Sequence, residues 1–552
     1  MNEKTVKRTA VPALLSIGLL LSPLAVQAEM PYYGKDYSQP QKIKALYPEI
    51  KVNEATPAFM KGQDAFTTQE EMMSYVQKLA HKSPYVKLKI IGKSQQGRDI
   101  PALYFSKEKK FADGKTSKKP TIWLQSQIHG NEPASGESVL AVATRLTEDF
   151  GKDVLNKVNI VIVPRINPDG SYAFKRQLAN NLDGNRDYIK LESPEVQSVR
   201  AEFNRFSPEV VIDAHEYTPY SSGFKNIGKE GVWKYHDILL QSGRNLNIPQ
   251  RIRDVSDELF VNSTLTAIEK QGYSGEVYYT SQVNKQGQLE VEEGSVEPRI
   301  GRNSLGLYPS FSFLVESRGI GIGREDFPRR VSAQIATQEK LITQTAAHAK
   351  QIKALIAKEK AALVKKGKNA NDHDLIVVNS ENKKIPNSTL EMVDVESASV
   401  KEIPVTYYSA KKATPTLVRE RPTAYLLKPG HEELAAKLQG QGVKGFKLTK
   451  ETALSVEAYS VSSRIENEAY ENKPNVDVQT IVKPKTVTFP KGSYVFLTSQ
   501  PQNNLLSLSL EPESVDSFTT FGYLPSEVGQ ELDVYRFTRS IEKSPLQKES
   551  RK

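Results

Sequence analysis

The strongest constraint on the fold is a series of short apolar runs, rich in β-branched residues, that alternate with helical stretches between about residues 64 and 367. Lys87-Leu88-Lys89-Ile90-Ile91 alternates as a half-buried strand does. Residues 120–126, 158–163 and 210–213, with Ser312-Phe313-Leu314-Val315, are nearly continuous, the pattern of strands covered on both faces. Residues 133–149, 195–203 and 254–271 read as helices between them. Parallel strands need such crossover connections, so the prediction is an α/β domain on a largely parallel sheet.

A last helix is expected as one rod over 331–365, with apolar residues at Ile335, Leu341, Ile342, Ile352, Leu355 and Ile356. It ends in Lys365-Lys366-Gly367-Lys368-Asn369, a basic last turn with a glycine stop. A domain boundary is placed there, between 29–368 and a smaller β-rich part over 369–552. That part carries β-rich runs at 375–378, 403–408, 423–427, 486–489 and 492–497, punctuated by Pro, Gly and Asn, and one helix at 432–439. No His–carboxylate cluster falls in it, so it is assigned no chemistry.

The first 28 residues read as a secretory signal. Lys4, Lys7 and Arg8 precede an apolar run from Val11 to about Leu24, and Val26-Gln27-Ala28 supplies small residues for cleavage after Ala28. The run is shorter than the roughly 20 residues of a spanning helix, and no later segment is long and apolar enough. Losing Glu3, Lys4, Lys7 and Arg8 takes the formal charge from +10 to +8, read as solubility charge. The Lys and Arg lack the aromatic interleaving of a nucleic-acid surface, so no such partner is expected. The chain has no cysteine, which excludes disulfides, thiolate metal sites and a cysteine nucleophile. An exported chain of this kind is expected to be bacterial, periplasmic or extracellular. Any metal must then be held by carboxylates and some of seven His.

Two of those His stand at strand ends. His129-Gly130-Asn131-Glu132 follows the 121–128 strand, and His215 follows Val210-Val211-Ile212-Asp213-Ala214. Functional groups of an open α/β sheet gather outside the carboxyl ends of its strands. Two His and one Glu leave a coordination position open, as catalytic zinc requires. Asn167-Pro168-Asp169-Gly170, Arg176, Asp183-Gly184-Asn185-Arg186 and Glu316 follow in that order, the last closing the 311–315 strand. A strand-end Glu beside such a metal suits a general base.

This ordered set resembles the zinc carboxypeptidases of the carboxypeptidase A-like family over roughly residues 65–345. Arg176 keeps that family's spacing, nine residues before Asn185, and Gly97-Arg98-Asp99-Ile100 resembles a segment these enzymes carry upstream. The resemblance implies a carboxypeptidase-like fold: a mixed, mostly parallel sheet of about eight strands flanked by helices. It implies one Zn2+ per catalytic domain, bound by His129, Glu132 and His215, with Asp183 orienting His129. It assigns Arg176 to the oxyanion, Asn185 and Arg186 to the substrate's C-terminal carboxylate, and Glu316 to general-base catalysis. The substrate is then a peptide or a cell-wall peptide.

A tyrosine the family often places about twenty residues before the base has no clear counterpart, and Tyr279 and Tyr308 stay open. If Arg302 lines the side-chain pocket, acidic C-terminal residues would be preferred. Two rival readings are a peptidoglycan stem-peptide amidase or other N-acyl amino-acid hydrolase on this scaffold, and a catalytically inactive binding protein.

Overall fold

A computed structural model describes residues 34–50, 55–60, 65–114 and 117–549. The secretory signal read at 1–28 lies outside the described residues. An eight-stranded mixed sheet forms the centre, with the order Val86–Lys93, Asp99–Phe105, Asn159–Val163, Thr121–Ser126, Val210–Tyr217, Phe311–Arg318, Ile238–Ser242 and Gly275–Val277. The four middle strands run parallel, and both flanks include antiparallel pairs.

The period-2 pleat sorts the middle strands into two cores. Ile122, Leu124, Ile160, Ile162, Ile212 and Val315 face the helices Pro133–Arg145 and Phe327–Ala347. Trp123, Val161, Val163 and Val211 face the helix Pro194–Phe206 through Val196, Val199 and Phe203. Burial on both faces explains why these strands are continuously apolar.

The single rod expected over 331–365 is instead two helices, Phe327–Ala347 and Ala349–Lys368, joined at His348. The hydrogen-bond ladder crosses the joint, His348 N to Gln344 O at 3.1 Å and Ile352 N to His348 O at 2.9 Å, so apolar periodicity alone could not reveal it.

Beyond Lys368 the short runs belong to longer strands. Leu375–Asp394 and Ser399–Glu420 pair antiparallel along most of their length. Their register shifts between Ile385 and Ser388, where Pro386 and Asn387 sit, Asn387 at φ 53°. The punctuating residues thus occupy irregularities inside one hairpin rather than strand ends. This hairpin joins Val232–Lys234 on one side and Leu289–Glu292 with Thr280–Val283 on the other, a five-stranded sheet that draws from both sides of residue 368. A separate six-stranded sheet forms from Ala424–Leu427, Phe446–Lys447, Thr452–Glu466, Val476–Phe489, Tyr494–Leu497 and Glu531–Phe537. The helix Asn503–Leu510, which had no sequence signal, is wholly buried.

Candidate active site

The site forms where the chain's sheet order reverses direction. From Thr121–Ser126 the chain adds Asn159–Val163 on one side and Val210–Tyr217 on the other. That reversal opens a crevice at the strands' carboxyl ends. His129 and Glu132 follow the first strand, and His215 lies near the end of the third.

Local chemistry fixes the His129 turn. Gly130 lies so close to the Asn167–Gly170 turn that a Cβ would fall 1.9 Å from the Gly170 carbonyl carbon, so only glycine fits. Asn167 Oδ1 accepts the Gly170 N–H at 2.7 Å, while its Nδ2 donates to Ile128 O at 3.2 Å and Gln177 O at 3.0 Å. Asp169 is held from the Gly97-Arg98 segment, through Ser94 Oγ at 2.7 Å, Gln96 N at 3.0 Å and Arg98 Nη1 at 2.7 Å. The two motifs are one brace that places His129 beside Arg176.

His129, Glu132 and His215 converge, all buried, with one ligand atom from each within 4.8 Å of the others. Glu132 Oε1 lies 2.7 Å from His129 Nδ1, and Oε2 lies 2.9 Å from His215 Nδ1. Arg176 Nη1 stands 3.2 Å from His129 Nδ1. On the other side of the ring, His129 Nε2 lies 3.0 Å from Asp183 Oδ1, a carboxylate placed to favour the tautomer with the proton on Nε2 and the lone pair on Nδ1. Two imidazoles and a carboxylate gathered this closely offer nitrogen and oxygen donors that one divalent cation can share. The donor set therefore fits zinc. His215 Nε2 lies 3.2 Å from Asp213 Oδ1, a second carboxylate behind a ligand.

Charge follows this geometry. Burial pushes the Glu132 carboxyl up, but the two imidazoles outweigh it and hold it at about 2. Asp183 is also pushed up by burial, and His129 and Arg176 bring it well below the usual carboxylate range. Glu316, opposite His215 in the parallel pair and 7% exposed, goes the other way. Burial, with help from Glu132, raises it to about 7 against the pull of His215, His129 and Arg176.

Glu316, His129, Arg176, Asn185 and Arg186 line one cavity of about 380 Å3. Asn185 Oδ1 accepts the Gly301 N–H at 2.7 Å, and Arg186 Nη1 donates to Asn185 O at 3.0 Å. The structure thus brings together the residues assigned to metal, oxyanion, carboxylate and base, with Glu132, His215 and Asp183 in contact with His129, Arg176 or one another. Of the two open tyrosines, Tyr279 lines the cavity, whereas Tyr308 packs edge-on against Phe203 in the core. Tyr278 also lines it, its hydroxyl pushed up to about 12 by burial and by Glu316. Sequence reading missed Tyr278, Lys234 and Asp213. Only Asp213, two residues before His215 on the same strand face, carried a local signal.

Residues 72–209 match the zinc carboxypeptidase family. The chain is 31% identical over 482 residues to carboxypeptidase 2 of Trichophyton equinum, covering 87% of this chain and 88% of that protein. The chain belongs to the zinc carboxypeptidase family. Carboxypeptidase 2 of Trichophyton rubrum is equally similar, 31% identical with the same coverage. Among solved structures, carboxypeptidase A from Helicoverpa armigera superposes with a TM-score of 0.39 at 18% identity, over 53% of this chain and 78% of that one. As a zinc carboxypeptidase the protein is a peptide hydrolase. Among the described residues no helix is long and apolar enough to cross a membrane.

Proposed function

We propose that this zinc carboxypeptidase removes C-terminal residues from peptides using one zinc held by His129, Glu132 and His215. The observation that carries the reading is the convergence of those donors beside Glu316 and Arg176 in one cavity. Zinc, when bound, supplies a Lewis acid that polarises the scissile carbonyl and acidifies water.

The chain's own groups do the rest. Glu316, raised to about 7, takes a proton from the attacking water and returns it to the leaving amine, a task suited to a carboxyl that titrates near neutrality. Arg176 is a fixed cation beside His129 and stabilises the oxyanion. Arg186, with Asn185, pairs the free C-terminal carboxylate, which guanidinium binds in a fork. Asp183 holds His129 in the tautomer that leaves Nδ1 free.

The cavity also supports a preference. Arg302 is 3% exposed and Lys234 is 7% exposed, both line the cavity, and neither is ion-paired among the described residues. Arg302 Nη2 donates only to Ser295 O at 2.8 Å, and its Nε has no partner. Lys234 Nζ sits 5.0 Å from the Tyr279 ring, its ammonium lowered to about 8 by burial although Glu316 pulls it up. Buried cations without a countercharge are costly, so the pocket suits an acidic C-terminal side chain. Residues 29–368 supply the groups that touch zinc and substrate, and the leader at 1–28 directs the enzyme out of the cytoplasm.

The test is metal analysis of the purified protein together with a C-terminal ladder assay on linear peptides, with and without a chelator. One zinc per chain and chelator-sensitive trimming are expected. Absence of zinc, or cleavage confined to purified muropeptides, would sink the reading.

A further inference from the structure

The side chain of Asp183 has no spare capacity. Its Oδ1 meets His129 Nε2 at 3.0 Å and accepts the Asn185 N–H at 2.8 Å. Its Oδ2 accepts from Arg176 Nε at 3.2 Å and Nη2 at 2.8 Å. Its backbone N–H is held from elsewhere: it donates to Glu471 Oε2 at 2.6 Å, from a residue 288 positions later in the chain.

Glu471 sits at the tip of a tight turn. Tyr470 and Lys473 pair across it, with N···O distances of 2.9 and 3.0 Å, and Glu471 and Asn472 have φ of 51° and 58°. Two successive positive φ values define a turn that favours Asn or Gly. A glutamate there holds a backbone conformation that side chains with a Cβ disfavour. The turn is docked on the same wall of the site. Lys473 Nζ pairs with Glu192 at 2.7 Å, and the Tyr470 ring covers the Arg299 guanidinium at 4.3 Å. Arg299 is itself held by the buried Asp516, through its N–H at 2.6 Å and Nη1 at 2.9 Å. Two residues on, Gly301 N–H reaches Asn185 Oδ1 at 2.7 Å.

We propose that Glu471 is a positioning residue for the reaction. It fixes the Asp183 backbone so that one carboxylate oxygen meets His129 while the other meets Arg176. The part after residue 368 is then a constituent of the catalytic centre and not a detachable appendage. The inference rests on the zinc-ligand role of His129 and the oxyanion role of Arg176.

The experiment compares the full-length parent with Glu471→Ala, Glu471→Gln and Lys473→Ala, each loaded with zinc. Zinc affinity is read by chelator competition, kcat and KM on a linear peptide at saturating zinc, and folding by thermal melting. Glu471→Ala should weaken zinc about tenfold and lower kcat about tenfold, with KM within about twofold, the scale of other outer-sphere losses. Glu471→Gln keeps the acceptor and should stay within about threefold of the parent on both. Lys473→Ala loosens the turn from the surface and should weaken zinc in the same direction, which keeps the idea testable if Glu471→Ala fails to fold. Unchanged zinc affinity and kcat in a folded Glu471→Ala, or equal impairment of the Ala and Gln variants, would overturn the proposal. A parent without peptidase activity but with zinc weakened by Glu471→Ala would refute the carboxypeptidase mechanism and leave the positioning role standing.

Discussion

Asp183 binds His129 and Arg176 with different oxygens of one carboxylate, Oδ1 at 3.0 Å from the imidazole Nε2 and Oδ2 at 2.8 Å from the guanidinium Nη2. One side chain therefore sets both a metal ligand and the oxyanion cation. Asp183→Ala should weaken zinc about 10–100-fold by chelator competition and lower kcat further at saturating zinc. An effect on KM alone would show that Asp183 serves substrate binding instead.

Glu316 is the group in the cavity suited to move a proton. Glu316→Gln preserves shape and the strand pairing with His215 but removes the basic oxygen. kcat should fall about 10²–10⁴-fold while zinc content stays at one per chain. Full activity in the zinc-loaded variant would remove Glu316 from the mechanism.

Much of this site was legible because its members are local to strand ends. His129, His215 and Glu316 each follow an apolar run, and Glu132 comes three residues after His129 at the start of the helix Pro133–Arg145, so all four lie at or just beyond strand carboxyl ends, where functional groups gather. Asp183 and Arg176 were legible only through the ordered motif set. Lys234 and Tyr278 were not legible at all. They come from Val232–Lys234 at the edge of the second sheet and from the residues just after Gly275–Val277, and distant segments bring the former into place: its pairing with Met392–Asp394, the Lys234 N–H to Pro219 O, and Arg318 Nε to Lys234 O. The C-terminal strands show the same limit: Pro386 reads as a strand end, yet the partner strand carries the hairpin past it.

Lys234 and Arg302 make specificity a measurable electrostatic quantity. Charge-assisted contacts contribute about 1.5–3 kcal/mol each, so kcat/KM for peptides ending in Glu should exceed that for matched peptides ending in Leu by at least about tenfold. Arg302→Met should reduce that ratio by about tenfold or more, and Lys234→Met should act in the same direction. A parent that prefers Phe or Lys at the C-terminus would show that these cations face away from the bound side chain.

Gly130 tests the brace rather than the chemistry. In Gly130→Ala the new Cβ meets backbone, 1.9 Å from the Gly170 carbon, which no rotamer can relieve. Displacing two interlocked turns should cost about 1–3 kcal/mol in urea unfolding and weaken zinc binding. A variant as stable as the parent would mean that the two turns separate freely.

His236 should give the fold a measurable acid sensitivity apart from the metal site. It is 2% exposed, Nε2 lies 3.3 Å from Glu391 Oε2, and Nδ1 has no partner. The neutral ring can donate Nε2–H to Glu391, but a second proton would place a buried N–H against nothing. Burial accordingly lowers its pKa to about 4, although Asp237 pulls it up. The unfolded chain takes up this proton near pH 6.5, before the folded one does. The stabilisation is therefore complete above pH 6.5 and is lost as pH falls through 6.5 towards 4, by about 2–3 kcal/mol at pH 4.5. Urea unfolding of metal-stripped parent and His236→Gln at pH 7.5 and 4.5 isolates this contribution, because the zinc ligands are common to both. The parent should lose about 2–3 kcal/mol more than the variant between the two pH values. Equal losses would show that the ring accepts its second proton in the folded protein, with Glu391 as the compensating charge.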